Sequence, residues 1–251
     1  MRVLAVVPAR GGSRGIPRKN LVVVGGQPLV TWSIRTGLEA ASVDRVVVST
    51  DDPEIADVSR AAGAEVPFRR PAELAGDETA DLPVFQHALA WLADHESYRP
   101  DVVVHLRPTS PARRPGLIDQ GVARLLADAD ATSLRTVSPA PVVAHKLWWV
   151  TESGHLSPVV GTMAEELFNQ PRQTLPTAWA HDGVLDVIRP EVIEAGSMSG
   201  PSILAMPLPL GEGVDVDRPE DLSSAEAALA RLATGDGSPT NAAGDAKPSG
   251  S

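Results

Sequence analysis

Three short apolar runs, at residues 3–7, 45–50 and 101–106, constrain this chain more than any other feature. Each is continuous rather than alternating in polarity, as a strand is when both faces of its sheet are covered. Between them, residues 30–41, 53–62 and 81–94 carry amphipathic helical spacing, with Pro53 and Pro83 acceptable in first turns. This alternation predicts an α/β fold: a mostly parallel, Rossmann-like sheet flanked by helices, joined by right-handed crossovers. Further along, the pattern predicts a helix over 115–127, strands over 132–137, 184–188 and 203–208, and a closing helix from 219 to about 234. Residues 138–179, rich in Pro and Trp, break the pattern and predict an inserted arm. One main domain over 1–234 is expected, and the tail 235–251, GDGSPTNAAGDAKPSGS, has no large apolar residue and is expected to be disordered.

Charge and residue usage narrow the function classes. A formal net charge of -10 argues against general affinity for nucleic acid or anionic membrane, so any basic cluster is local. The absence of Cys excludes disulfides, thiolate catalysis and Cys-based zinc sites. The apolar run at 3–7 is too short for a signal-peptide core, and a soluble, cytoplasmic protein is expected. Six histidines show no metal-ligand spacing, and no Ser-His-Asp arrangement stands out.

Open α/β sheets bind ligands at the carboxyl edge of their strands. PARGGSRG, STDD, RPTSP and VDVD all sit at strand ends, so four polar motifs are expected to meet on one rim. The first, PARGGSRGIPRKN at 8–20, matches neither G-x-G-x-x-G nor the P-loop spacing. Its chemistry still suits an anion: Gly11, Gly12 and Gly15 allow positive φ and close backbone approach, and Arg10, Arg14 and Lys19 can neutralise a triphosphate. A solvated turn with ordinary surface cations is the alternative. In GVDVDRPEDL, Asp215 and Asp217 would share one face of a strand while Val214 and Val216 face the core, a pair suited to Mg²⁺; helix-entry chemistry before Pro219 is the other reading.

PARGGSRGIPRKN resembles the signature of the acylneuraminate cytidylyltransferase family. The similarity continues through VSTDD at 48–52, RPAELAGDET at 70–79, RPTSPAR at 107–113, QPRQTLP at 170–176 and VDVDRPEDL at 214–222. The resemblance implies transfer of CMP from CTP to the anomeric hydroxyl of a nonulosonic, sialic-acid-like sugar acid, with release of pyrophosphate. It assigns the nucleotide to Ala9, Arg10, Gly11, Gly12, Arg14, Lys19 and Asn20, and its base to Arg70 and the Ala80 backbone. It implies catalytic roles for Arg10, Lys19 and Lys146, acceptor contacts at Arg107, Arg172 and Asp182, Mg²⁺ on Asp215 and Asp217, and a homodimer in which the arm reaches the neighbouring site. No residue stands out as general base.

The acceptor side departs from the family pattern. Arg107 stands where Gln often precedes P-T-S-P, and Ala180, His181, Asp182 and Gly183 stand where one branch has R-x-N-G. These changes of charge and hydrogen-bond inventory leave the acceptor open. A glycosyltransferase consuming nucleotide sugars, through an acidic D-x-D pair, and a catalytically silent nucleotide sensor are the rival classes.

Overall fold

The computed structural model describes residues 1–209 and 211–234; the tail expected over 235–251 lies outside the described residues. Strand β1 (Val3–Pro8) is followed by a small hairpin of β2 (Val23–Val24) and β3 (Gln27–Pro28), then α1 (Leu29–Glu39), β4 (Arg45–Ser49), α2 (Pro53–Ala61), α3 (Asp81–Glu96) and β5 (Val102–His105). The second half comprises α4 (Leu117–Ala127), β6 (Ser133–Pro139), an arm hairpin of β7 (Trp148–Val150) and β8 (Leu156–Pro158), β9 (Trp179–Ile188), α5 (Pro190–Glu194), β10 (Ile203–Pro207) and α6 (Asp221–Ala233).

Six strands form the central sheet in the order β10-β6-β9-β5-β1-β4. The pairs β1–β4, β1–β5 and β10–β6 are parallel, whereas β9 runs antiparallel to both β5 and β6. The mostly parallel expectation holds, with one reversed strand in the middle. Residues of β1 from Val3 to Val7 are fully buried because strands flank β1 on both sides and helices cover both faces.

One face packs Ala5, Val7, Val48 and Val104 against Ile34 of α1, Ile55 of α2 and Leu125 of α4. The other packs Leu4, Val6 and Val103 against Phe85 and Leu92 of α3 and Ile193 of α5. A third, smaller cluster joins Ile16 of the first loop and Val216 of the last to Ala225, Ala228 and Leu229 of α6. That cluster holds the two loops carrying the expected phosphate and metal residues on one helix.

Three boundaries differ from expectation for local reasons. Helix α4 begins at Leu117, after Gly116 takes the left-handed conformation at φ 74°. Helix α6 begins at Asp221, whose carboxylate accepts from the Asp217 and Arg218 amides at 3.0 and 2.8 Å and so closes the preceding turn. Strand β9 starts at Trp179, ahead of the apolar stretch, because residues 179–181 pair with 137–139 outside the core. The arm is inserted between β6 and β9, which are neighbours in the sheet.

Candidate active site

The four polar motifs do meet near the strand ends, and hydrogen bonds from backbone amides fasten them in two pairs. The Ala9 amide donates to Ser49 O at 3.0 Å and the Gly11 amide to Asp51 Oδ1 at 3.0 Å, tying the first loop to the one after β4. The Val216 amide donates to Thr109 O at 2.7 Å, tying the aspartate segment to the loop after β5. Asn20, buried, donates from Nδ2 to Arg10 O at 2.8 Å and so braces the first loop from within.

The glycines act differently from expectation. Gly11, Gly12 and Gly15 all lie outside the left-handed region, and Arg18 instead takes it, at φ 53°. What the loop needs from glycine is close approach: a Cβ on Gly15 would stand 2.1 Å from Asp217 O, and one on Gly11 would stand 2.9 Å from Asp52 Cβ. The aspartate pair also differs, since 213–217 belong to no strand. Val216 is nevertheless fully buried between the two aspartates, so the alternation survives without the ladder.

A cleft at this rim is lined by Arg10, Gly12, Lys19, Asn20, Arg70 and Thr109. Each cation expected to meet a triphosphate already has a carboxylate partner. Arg10 Nη1 and Arg14 Nε both pair with Asp77, at 2.8 and 2.7 Å, and Lys19 Nζ pairs with Asp217 Oδ1 at 2.8 Å. The Arg14 hydrogen bond chiefly holds the exposed Asp77 carboxyl below its usual range. Arg70 is buried and donates to Ser49 Oγ at 3.1 Å and Ser49 O at 2.5 Å, with burial lowering its pKa to about 10. Ala80 precedes α3 in extended conformation, between the cleft-lining Thr79 and Asp81.

A second cleft is lined by Arg107, Ser138, His181, Asp182, Gly183 and Asp215. Its wall is a bulge in β9: Arg135 pairs with Asp186 and Val137 with His181, leaving 182–185 looped out. Gly183, at φ 73°, turns that bulge, and Asp182 secures it by accepting from Thr136 Oγ1 at 2.5 Å, Ser138 Oγ at 2.9 Å and the Val184 amide at 3.1 Å. Asp215 stands at the junction of the two clefts. Desolvation by the cleft walls pushes its carboxyl up; the Thr109 hydroxyl opposes this and the Asp217 charge adds to it.

Behind this cleft lie charged residues that sequence reasoning left unassigned. Asp186 is buried, and burial alone would raise its carboxyl, but the His181 hydrogen bond and the Arg107 and Arg135 guanidiniums outweigh it and hold the group far below the usual carboxylate range. Arg113, also buried, donates to Val184 O at 2.6 Å, Ser33 Oγ at 2.8 Å and Arg107 O at 2.8 Å. It locks the loop after β5 onto α1 and β9, while burial lowers its pKa to about 9, leaving it charged at neutral pH. Asp77 and Arg113 lie within GDET and RPTSPAR, so their motifs signalled them; Arg135 and Asp186 lie in ordinary strand sequence and gave no signal.

Among the other expected site residues, Ala9, Gly11, Arg14, Ala80 and Asp217 sit beside the clefts without lining them, and two more stand apart from both. Lys146 is exposed on the arm, 3.3 Å from Phe168 O, and Arg172 is exposed in the turn at Arg172–Thr174. Among the described residues no group of three or more His, Cys, Asp or Glu could hold a metal alone, and no helix is long and apolar enough to cross a membrane.

Comparison with known proteins bears on this geometry. The profile of the family described as Cytidylyltransferase matches residues 4–147. A CMP-N,N'-diacetyllegionaminic acid synthase of Legionella pneumophila is 36% identical over 148 residues, covering 59% of this chain and 62% of that protein. A pseudaminic acid cytidylyltransferase of Campylobacter jejuni is 36% identical over 126 residues, 50% of this chain and 54% of that protein. The chain thus matches a little over half the length of these curated relatives. In three dimensions, a CMP:2-keto-3-deoxy-manno-octonic acid synthetase complexed with CTP superposes with a TM-score of 0.67 at 19% identity, covering 92% of this chain and 99% of that one. It shows the same fold. The matched region spans the cationic loop after β1, the motif after β4 and the loop after β5, and this chain belongs to the cytidylyltransferase family.

Proposed function

We propose that the chain transfers CMP from CTP to the anomeric hydroxyl of a nonulosonic or closely related 2-keto-3-deoxy sugar acid. The observation that carries this reading is the placing of the aspartate pair between two clefts. Asp217 is paired to Lys19 of the cation-lined cleft, Asp215 lines the second cleft, and Val216 between them is tied to Thr109. A triphosphate in the first cleft would present its α-phosphate at that junction, next to an acceptor in the second. The names of the relatives support CTP and a sugar acid as the two occupants.

In the reaction the anomeric oxygen attacks the α-phosphorus in line, the bond to the bridging oxygen of the β-phosphate breaks, and pyrophosphate leaves while the hydroxyl proton passes to solvent. Arg10, Arg14 and Lys19 neutralise the departing charge, so catalysis rests on positioning and electrostatics. Asp77 must release Arg10 and Arg14 for this. Asp215 and Asp217 fit Mg²⁺ chemically: desolvation and the Asp217 charge both raise the proton affinity of Asp215, and a hard divalent cation held by the two carboxylates would relieve that repulsion. Bound there, Mg²⁺ would supply Lewis-acid chemistry, offsetting phosphate charge and acidifying the attacking hydroxyl.

The arm supports a homodimer. It exposes Trp149, Val150 and Met163, at 64%, 73% and 57%, a patch that a second copy would cover while bringing Lys146 and Arg172 toward the neighbouring site. The cytoplasm, which supplies CTP, is the compartment that suits this activity.

Pyrophosphate release tests the reading. Purified protein with CTP and Mg²⁺ is assayed across N-acetylneuraminate, its deaminated analogue, legionaminate, pseudaminate and an eight-carbon ulosonate, with a chelator control. Release with at least one acid, abolished by the chelator, is expected. Silence with every acid would overturn the assignment, and release undiminished by the chelator would remove the metal from it.

A further inference from the structure

Asp186 is 1% exposed and has more positive charge around it than one carboxylate neutralises. Arg107 Nη1 donates to its Oδ2 at 2.7 Å, and Arg135 Nε donates to its Oδ1 at 2.7 Å. His181 Nε2 lies 3.3 Å from that same Oδ1. Burial keeps the fully enclosed His105 neutral, its pKa lowered to about 3, so it adds no third cation although its Nδ1 lies 3.7 Å from Asp186 Oδ2. The nearest further anion, Asp81, stands 3.6 Å from Arg107 Nη2 and is 43% exposed, where solvent screens it.

The two guanidiniums have donors to spare. Among the described residues, neither Nη of Arg135, and neither Nη2 nor Nε of Arg107, has a hydrogen-bond partner, and the two side chains are 26% and 22% exposed. Their place follows from the β9 bulge. Looping out 182–185 brings His181, which lines the second cleft, against the carboxylate oxygen that Arg135 also holds. Arg107 lines that cleft directly, as does Asp215, whereas Arg135 stands behind the lining, partly exposed and joined to the cleft through Asp186 and the His181 that shares its oxygen. Two planar forks anchored on one buried carboxylate, with their remaining N–H groups unused, suit a planar anion.

Resting on the cytidylyl-transfer reading, we propose that Arg107 and Arg135, held on Asp186, receive the carboxylate of the acceptor sugar acid, with Asp186 as the positioning residue. The pair supplies an acceptor-anion receptor from β6 and the loop after β5, separate from the arm's Arg172. Asp186 fixes one donor group of each arginine, so the others are set before the acceptor arrives and little rotamer freedom is lost on binding.

The test compares the sugar acid that gives the fastest pyrophosphate release with its C1 methyl ester, which keeps the ring but not the charge. Steady-state constants for both substrates and thermal midpoints are measured for the wild-type protein, Arg135→Gln, Arg135→Lys and Asp186→Asn. Arg135→Gln and Asp186→Asn are expected to raise the acceptor KM by about ten- to a hundredfold, the scale of a charged hydrogen bond, and to reduce the preference for acid over ester. The CTP KM should stay near its wild-type value, and Arg135→Lys should recover part of the loss. An unchanged acceptor KM or acid preference in Arg135→Gln, or an equal rise in both KM values, would overturn the receptor while leaving the transfer reading intact. A wild-type protein that releases no pyrophosphate with any sugar acid would overturn both. Should Asp186→Asn fail to fold, the two Arg135 variants still decide, because that side chain is partly exposed.

Discussion

In the first cleft Arg10, Arg14 and Lys19 stand on the loop beyond β1 and their partners are exposed, whereas Arg135 of β6 and Arg107 of the loop after β5 are gathered on the buried Asp186. Asp77, which occupies Arg10 and Arg14, is 41% exposed at its side chain, while the Asp186 side chain is 2% exposed. Ion pairs in water are weak and exchange readily, but a buried carboxylate cannot be removed without stranding its partners. On the proposed transfer, the first arrangement suits a polyanion that enters and then leaves in part as pyrophosphate. The second suits an acceptor whose orientation must be set.

This contrast can be broken at several points. The largest loss is expected from Lys19→Ala, which removes a cation that touches both the first cleft and the aspartate pair. Its kcat/KM for CTP should fall by about 10³-fold, the scale of one preorganised charge contact, with the thermal midpoint nearly unchanged. Near-normal turnover would show that the loop does not hold the phosphates. Next comes Gly15→Ala, whose added Cβ would stand 2.1 Å from Asp217 O and force the two loops apart. A loss of about 10²-fold is expected from such a displacement. Wild-type behaviour of Gly15→Ala would mean that the spacing of the loops is not critical. The smallest effect on the nucleotide side belongs to Trp149→Ala on the arm. CTP binding measured by calorimetry should not change, but sedimentation should shift toward the monomer; a persisting dimer would take Trp149 out of the interface.

Much of the fold was legible because a parallel sheet covered on both faces leaves continuous apolar runs, and those at 3–7 and 45–50 mark β1 and β4 closely. The cation-lined cleft was legible for a related reason: Arg10, Lys19 and Asn20 lie on the segment that follows such a strand, where open sheets gather ligands, while Arg70, after α2, was signalled only by the resemblance. Glycine chemistry was only half legible. The letters G-G-S-R-G show that side chains are absent, but whether that absence serves a positive φ or a close contact depends on what lies opposite, and here it is the Asp217 carbonyl about two hundred residues away. The bulge in β9 was hidden, since AHDGVLD carries neither alternation nor a continuous run until Val184.

By itself the sequence determined the alternation of strands and helices, the cationic loop after β1, the aspartate pair and the order of motifs, because hydrophobic period and residue chemistry act over a few neighbours. Tertiary structure alone decided that β9 runs antiparallel between β5 and β6, that Asp77 takes Arg10 and Arg14, and that Asp186 gathers Arg107, Arg135 and His181. Those pairings join residues tens of positions apart, and what brings them together is the burial of apolar faces on both sides of the sheet, which no local pattern records.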